Sequence, residues 1–330
     1  MTFWSDKRVL VTGGGGFIGS HVTELLVAQG AVVTVADRLH ARQQENLRGV
    51  WDHIHFADVD LMAVDRCLEV MKNQDVVLHL AARVAGVRFN NEHPGTMLRD
   101  NLRSTLNVLD AAHHVGVERF LMVSSACVYP RDCAIPTPES EGFRDLPEPT
   151  NVGYGWAKRT AELLAQTYAQ EFGMRIAIAR PYNTYGPRDH FESVEAHVIA
   201  SLVRRLLAER ANPLVVWGDG TQSRSFLYVT DLARGLIELI ERYPQPDPVN
   251  LGGSEEVTIR ELAELIVELS GKRVSLRFDP TRPAGQPRRG CDTSKAKRLI
   301  GYAAEVQLRQ GVEETLRWYE QHIAACEPAG

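Results

Sequence analysis

Tyr154 and Lys158 stand four positions apart in Tyr154-Gly155-Trp156-Ala157-Lys158. On a helix that spacing places both side chains on one face. A lysine ammonium beside a phenol favours the phenolate, and a phenol so poised can move a proton on or off a substrate hydroxyl while a hydride leaves or arrives. Ser124 and Ser125 close the apolar run Phe120-Leu121-Met122-Val123, and the carboxyl ends of strands are where α/β active sites gather. A second group of residues has the spacing of a dinucleotide cradle. Gly13, Gly16 and Gly19, with Phe17 and Ile18 between the last two, follow an apolar run and open an amphipathic stretch. The first glycine permits a tight turn, the second lets backbone approach a pyrophosphate, and the third lets helix and strand pack closely. Asp37 ends the next apolar run, where an acid accepts both ribose hydroxyls. A carboxylate there repels a 2′-phosphate, which Arg38 only partly offsets, so NAD is expected rather than NADP. Asp58 and Val59 follow a third run, Ile54-His55-Phe56, at a position for adenine contact.

The elements that must position these groups alternate. Strand-like runs at Arg8–Thr12, Ala31–Ala36, Asp75–Leu80, Phe120–Val123 and Ile176–Ala179 are separated by helical patterns, among them Phe17–Gln29, Asn101–His114 and Tyr154–Phe172. That rhythm predicts an α/β fold, a doubly wound parallel sheet of the Rossmann kind covered on both faces. After Pro181 the rhythm changes to α+β: a helix over Ala196–Ala208, strands at Leu214–Trp217 and Val274–Phe278, and a helix over Ile259–Ser270. The division expected is residues 1–180 for the cofactor and 181–330 for the substrate, with interleaving of segments allowed.

Composition narrows the class. Apolar residues make up 44% and charged residues 24% of 330, ordinary for a folded chain. Net charge is −5, the wrong sign for a nucleic-acid partner. No apolar run approaches the ~20 residues that span a bilayer, and the polar N-terminus lacks the form of a signal peptide. The five cysteines are scattered, with no CxxC or His/Cys cluster, so neither a metal site nor a disulfide framework is expected. A reduced, cytoplasmic protein follows.

Taken together, the glycine turn, Asp37, the serine at a strand end and the Tyr/Lys pair resemble the extended short-chain dehydrogenase/reductases, in their NAD-dependent epimerase/dehydratase branch. Leu80-Ala81-Ala82, Arg180-Pro181-Tyr182-Asn183-Thr184-Tyr185-Gly186-Pro187 and Gly218-Asp219-Gly220 through Phe226 and Asp231 match the same pattern. The resemblance implies a Rossmann domain with Leu80, Ala81 and Ala82 at the cofactor, a smaller domain binding a nucleotide-linked sugar, and a triad of Ser125, Tyr154 and Lys158. It also implies a homodimer built on the helices Asn101–His114 and Tyr154–Phe172, whose apolar stripes (Leu102, Leu106, Leu109; Leu163, Leu164, Tyr168) suit that use and equally suit an internal core.

Within that branch the segment Ser125-Ala126-Cys127-Val128-Tyr129-Pro130 is similar to that of the GDP-mannose 3,5-epimerases and GDP-L-fucose synthases. So are Gly86, Val87 and Asn90 in the substrate loop, Glu148-Pro149-Thr150-Asn151, and the stretch from Ser193 to Arg205 that contains His197, Val198 and Leu202. The resemblance implies that Cys127 and His197 are the acid/base pair. The chemistry agrees, because a ketone at C4 acidifies the C3 and C5 hydrogens, and a thiol (~8.5) and an imidazole (~6.5) both exchange protons near neutrality. The diphosphate of a GDP-sugar, the favoured substrate, calls for cations, and Arg205, Arg224, Arg282 and Arg288 are the candidates, with Trp217 at the nucleotide and Asn183 at the sugar or diphosphate. The expected activity is transient C4 oxidation with inversion at C3 and/or C5. The alternatives are a 3,5-epimerase/4-reductase consuming NADPH, a simple C4 epimerase, and a non-catalytic NAD-binding scaffold. A dehydratase would want an acid beside Ala126-Cys127, where none stands.

Overall fold

The computed structural model describes residues 2–38, 40–192, 196–282 and 286–326. Ser193 therefore lies outside the described residues, as does the side chain of Val87. The first part of the chain runs β1 (Arg8–Thr12), α1 (Phe17–Ala28), β2 (Val32–Asp37), α2 (Ala41–Asn46), β3 (Ile54–Asp58), α3 (Val64–Met71), β4 (Val76–His79), α4 (Val87–Glu92), α5 (Pro94–Val115), β5 (Arg119–Val123), α6 (Val152–Phe172) and β6 (Ile176–Pro181). It continues through β7 (Thr184–Tyr185), α7 (Val198–Leu207), β8 (Leu214–Trp217), β9 (Ser223–Ser225), β10 (Leu227–Tyr228), α8 (Val229–Arg242), β11 (Val249–Leu251), β12 (Glu256–Thr258), α9 (Ile259–Leu269), β13 (Leu276–Asp279), β14 (Arg288–Arg289), α10 (Ser294–Ile300) and α11 (Leu308–Cys326).

Seven strands form one parallel sheet in the order β11-β6-β5-β4-β1-β2-β3. This is the doubly wound α/β fold expected. Strand alternation divides β1 between two cores: Val9 and Val11 enter a cluster with Val22, Leu26 and Leu236, while Leu10 joins Met71, Val108 and Ala161 on the other face. Burial on both faces is why the run carries no polar alternation. The order reverses between β1 and β4, so a crevice opens there at the carboxyl edge of the sheet.

Past residue 181 the chain shuttles between two bodies. β11 pairs with β6, and α8 and α10 pack on the face that carries α1. Meanwhile α7, α9 and α11 gather around a second core of Ile199, Leu206, Leu262, Ile266 and Leu316. α9 starts on a capping box in which Thr258 and Glu261 satisfy each other's amides. α5 and α6 end at Gly116 and Gly173, both left-handed (φ 73° and 68°). Of the apolar stripes on these two helices, Leu109 is buried in the core, whereas Leu106 and Leu163 stay exposed. The helix expected over Ala196–Ala208 begins at Val198, with His197 as its N-cap residue.

Candidate active site

Between β1 and α1 the chain makes the tightest turn in the site. Gly13 sits at φ 69°, and a Cβ on Gly19 would fall 2.0 Å from the Gly13 carbonyl oxygen. The third glycine of the motif thus lets α1 close onto the turn itself. Gly16 caps α1 without a side chain, so the first-turn amides of Phe17 and Ile18 are left for an external acceptor, the arrangement a pyrophosphate requires. Phe17 is buried and Ile18 packs partly on the core. The Asp37 carboxylate ends β2, accepts the Gly15 and Arg38 amides (3.0 and 2.8 Å), and is pushed up by burial, which those bonds oppose. Asp58 stands opposite Asp37 in the β2–β3 register, exposed, with Val59 buried behind it. Leu80 and Ala81 meet the same turn: their amides reach the Thr12 carbonyl and Oγ1 (3.2 and 3.3 Å), and a Cβ on Gly13 would lie 2.9 Å from Ala81. Ala82 follows on the same edge, half-buried. This cradle fits a dinucleotide in shape and in donors.

Two strands along the sheet lies the second cluster. Ser125 caps a one-turn 3-10 helix, Ala126–Val128, and its Oγ accepts the Cys127 amide at 3.2 Å. Ala126 is buried beneath Cys127. Lys158 is buried and donates to the Val123 carbonyl at 2.8 Å, with its Nζ 5.6 Å from the Tyr154 ring centre. Burial lowers the Lys158 ammonium to about 8, against the opposing charges of Cys127 and Glu162. Burial first, and then the nearby Cys127, raise the Tyr154 phenol. The direction is opposite to the lowering expected of Lys158, because burial makes a phenolate costly. Gly155 explains how α6 comes so near. A Cβ there would lie 2.7 Å from both the Cys127 carbonyl oxygen and the Pro147 ring.

The other serine is spoken for. Ser124 Oγ donates to Glu162 Oε1 at 2.5 Å, and Arg180 grips the same carboxylate bidentately (2.8 and 2.7 Å). Arg180 also donates to Tyr129 Oη (3.0 Å), which donates in turn to Asn250 Oδ1 (2.5 Å). This buried lattice fastens the turn that carries Ser125 and Cys127, and no single segment announces it.

His197 stands apart from that cluster. Its Nδ1 lies 3.1 Å from both oxygens of Asp189, a residue that sequence reading passed over. Asp189 pushes the imidazole above its usual range, against burial. Val198 is half-buried, and Leu202 is buried in the second core, where it shapes the wall from behind. Arg205 is half-buried further along α7, its pKa lowered by burial. Gly86 is the N-cap residue of α4, where Asn90 is buried and donates to the Ala85 and Gly86 carbonyls (2.7 and 2.9 Å).

At the far end, Asn183 donates to the Ser225 carbonyl at 2.8 Å. Arg224, on β9, is lowered to about 10 by burial and by Arg289, its register partner on β14. Arg288 turns instead to Glu256, bidentate at 2.7 Å on both arms. Consecutive strand residues face opposite ways, so Arg289 rather than Arg288 stands beside Arg224. Arg282 is exposed, 3.8 Å from Asp279 and 5.7 Å from the centre of the exposed Trp217 ring. Glu148, first residue of the Glu148–Asn151 segment singled out in the sequence, is buried and held by Arg131 (2.8 Å) and Gln286 (2.9 Å). Among the described residues no group of three metal-ligating side chains occurs, and no helix is long and apolar enough to cross a membrane.

Known proteins share both the fold and the sequence. The family model described as NAD dependent epimerase/dehydratase matches residues 9–252. The chain is 33% identical over 97% of its length to dTDP-4-dehydro-6-deoxy-D-allose reductase of Streptomyces bikiniensis, covering 98% of that protein. It is 35% identical over 97% of its length to GDP-L-fucose synthase 1 of Arabidopsis thaliana, covering 95% of it. Among solved structures it matches an epimerase of Methanothermobacter thermautotrophicus with a TM-score of 0.89 at 30% identity, over 99% of this chain and 96% of the other. With a two-centre site on a doubly wound sheet and likeness running the length of the chain, the protein is an enzyme of the NAD-dependent epimerase/dehydratase family, within the nucleotide-sugar epimerases, dehydratases and reductases.

Proposed function

We propose that this enzyme is a nucleotide-sugar epimerase that oxidises C4 transiently and inverts C3 and/or C5. The observation that carries the reading is the place of Cys127, whose amide is held by Ser125 Oγ at 3.2 Å and whose carbonyl oxygen would lie 2.7 Å from a Cβ on Gly155, on the helix that bears Tyr154 and Lys158. The turn Gly13–Gly19 holds the cofactor pyrophosphate and Asp37 its ribose, which favours NAD over NADP. A nicotinamide cofactor held there would supply the hydride acceptor, and then the donor, for the substrate's C4. Tyr154 carries the C4 hydroxyl proton, Ser125 donates a hydrogen bond to the same oxygen, and Lys158 supplies positive charge beneath them. Cys127 and His197 exchange protons with the carbons flanking the ketone. Arg224, Arg205 and, in place of Arg288, Arg289 receive the diphosphate of a GDP-sugar, and Trp217 with Arg282 frames its nucleotide end. The exposed Leu106 and Leu163 on α5 and α6 support a homodimer. The soluble fold and the reduced state of Cys127 in this role suit the cytoplasm.

A second reading is a 3,5-epimerase/4-reductase of a 4-keto-6-deoxy sugar. The relatives named a dehydro-deoxy-allose reductase and a GDP-fucose synthase favour it. One experiment separates the two. Mass spectrometry identifies the nucleotide released from denatured protein, and NMR then follows candidate GDP-, dTDP- and UDP-sugars in D₂O. Copurified NAD with redox-neutral isomerisation supports the first reading. Stoichiometric consumption of reduced cofactor with a 4-keto sugar replaces it with the second.

A further inference from the structure

His197 occupies a position that local rules give to another residue type. It is the N-cap residue of α7, where Ser, Thr, Asp or Asn would satisfy an amide, and its side chain caps nothing. A positive charge is also disfavoured at a helix N-terminus, because the macrodipole is positive there. Breaking two local preferences at one residue is a mark of function. What offsets both is Asp189. Its side chain is 1% exposed, while 53% of the His197 side chain is exposed. Both carboxylate oxygens reach Nδ1 at 3.1 Å, so Nε2, across the ring, is the nitrogen offered to a ligand.

The carboxylate is itself pinned. Its Oδ1 accepts the His190 amide at 2.7 Å, and the backbone before it is fastened to α1, the helix that opens at the cofactor turn. His21 Nε2 lies 3.1 Å from the Pro187 carbonyl, and Arg188 donates to Glu24 at 2.6 Å from a left-handed backbone (φ 70°). A left-handed arginine costs conformational energy and persists where its surroundings over-determine it. Among the described residues, the charged group facing the imidazole is Asp189. Arg188 is engaged by Glu24, and Glu192 accepts from Tyr319 (3.2 Å).

We infer that Asp189 is a positioning residue: it fixes His197 in the tautomer with hydrogen on Nδ1, aims Nε2 at the substrate carbon, and keeps the imidazolium available as the proton donor. The geometry of the pair stands by itself, whereas its purpose rests on the epimerase reading above. The raised imidazole agrees with it.

The test uses the full chain labelled with ¹⁵N-histidine, with His197→Asn identifying the resonance by its loss. Wild type is expected to hold its proton on Nδ1 when neutral and to titrate above ~6.5. In Asp189→Asn the titration should fall by about one pH unit, and the pH profile of solvent deuterium uptake should move down with it. Asp189→Glu should recover part of the shift. A wild-type ring with its neutral proton on Nε2 overturns the assignment even if Asp189→Asn does not fold, and so does an unmoved titration in a folded Asp189→Asn. The resonance is read without substrate, so it fails separately from the function: the expected tautomer and titration in a protein that exchanges no carbon-bound hydrogen supports the Asp189–His197 pair and overturns the epimerase reading.

Discussion

Lys158 and His197 stand in two separate clusters, two halves of the proposed site, and their surroundings push them in opposite directions. Lys158 is buried on α6 against the end of β5, and burial lowers it to about 8. His197 stands half open on a helix start, and one buried carboxylate raises it. The first half is closely packed, with a backbone carbonyl for Lys158 and a missing Cβ at Gly155, and its turn is fastened by the buried Glu162–Arg180 lattice. The second half is more open at His197 and is held by a loop side chain, the buried Asp189. A buried site makes charge costly, which suits a residue that carries a proton without staying ionised. An imidazole paired with a carboxylate holds its proton more tightly, which suits a donor. The two surroundings therefore suit different proton transfers, which the proposed reading assigns to the C4 oxygen and to a neighbouring carbon.

Removing the shared phenol breaks the comparison most severely. Tyr154→Phe is expected to lower kcat by ~10²–10⁴, the usual contribution of one general acid/base group. Near-normal turnover in steady-state assays would show that another group carries the C4 proton. Gly155→Ala tests whether the closely packed half depends on close approach. Its Cβ would meet the Cys127 carbonyl oxygen at 2.7 Å, so the turn must shift. Misplacement of about 1 Å costs roughly 10² in rate. A variant with unchanged carbon exchange and kcat would mean that the Cys127 turn has slack.

Asp37→Asn keeps the shape of the ribose site and removes its charge. With about 1.5 kcal/mol for a charge-assisted hydrogen bond, NAD affinity should fall about tenfold, and discrimination against a 2′-phosphate should shrink. Calorimetric titration with both cofactors checks it, and a wild type that prefers the 2′-phosphate contradicts the role given to Asp37. The smallest effect is on stability. Lys158 lies near 8 in the fold against its ordinary 10.5. Between those values the unfolded chain binds more protons, so this group's contribution rises with pH, and the charged form costs stability below the window. From pH 7 to pH 9 wild type should gain on Lys158→Met by about 1 kcal/mol in urea midpoints. A constant difference across that range would mean that Lys158 is not discharged by burial.

The same contrast explains what was legible in the sequence. The cofactor turn, Asp37 and the Tyr154/Lys158 pair are contiguous or nearly so, and their spacing sets their geometry. The strands at Arg8–Thr12 and Phe120–Val123 were readable because burial on both faces leaves an uninterrupted apolar run. Asp189 was not, since an isolated acid in a loop gains meaning only from the partner that folding brings, here His197, and for Glu148 the segment was readable but not the Arg131 and Gln286 contacts that hold it. The choice of Arg288 over Arg289 shows the limit within a strand, where one position reverses the face and the two-residue β14 carries no alternation to read. α8 was missed although Leu232, Ala233, Leu236, Ile237 and Ile240 repeat at helical spacing, a signal strong enough to have placed it.

Solvent deuterium uptake in Cys127→Ser, followed by NMR on the substrate, tests the central claim most directly. A serine hydroxyl is a far weaker acid than a thiol, so exchange at C3 and C5 should nearly vanish, while transient reduction of the cofactor through C4 chemistry at Tyr154 persists in absorbance. Full exchange at both carbons in Cys127→Ser, or none in wild type turning over its sugar, would contradict the account and leave chemistry at C4 alone.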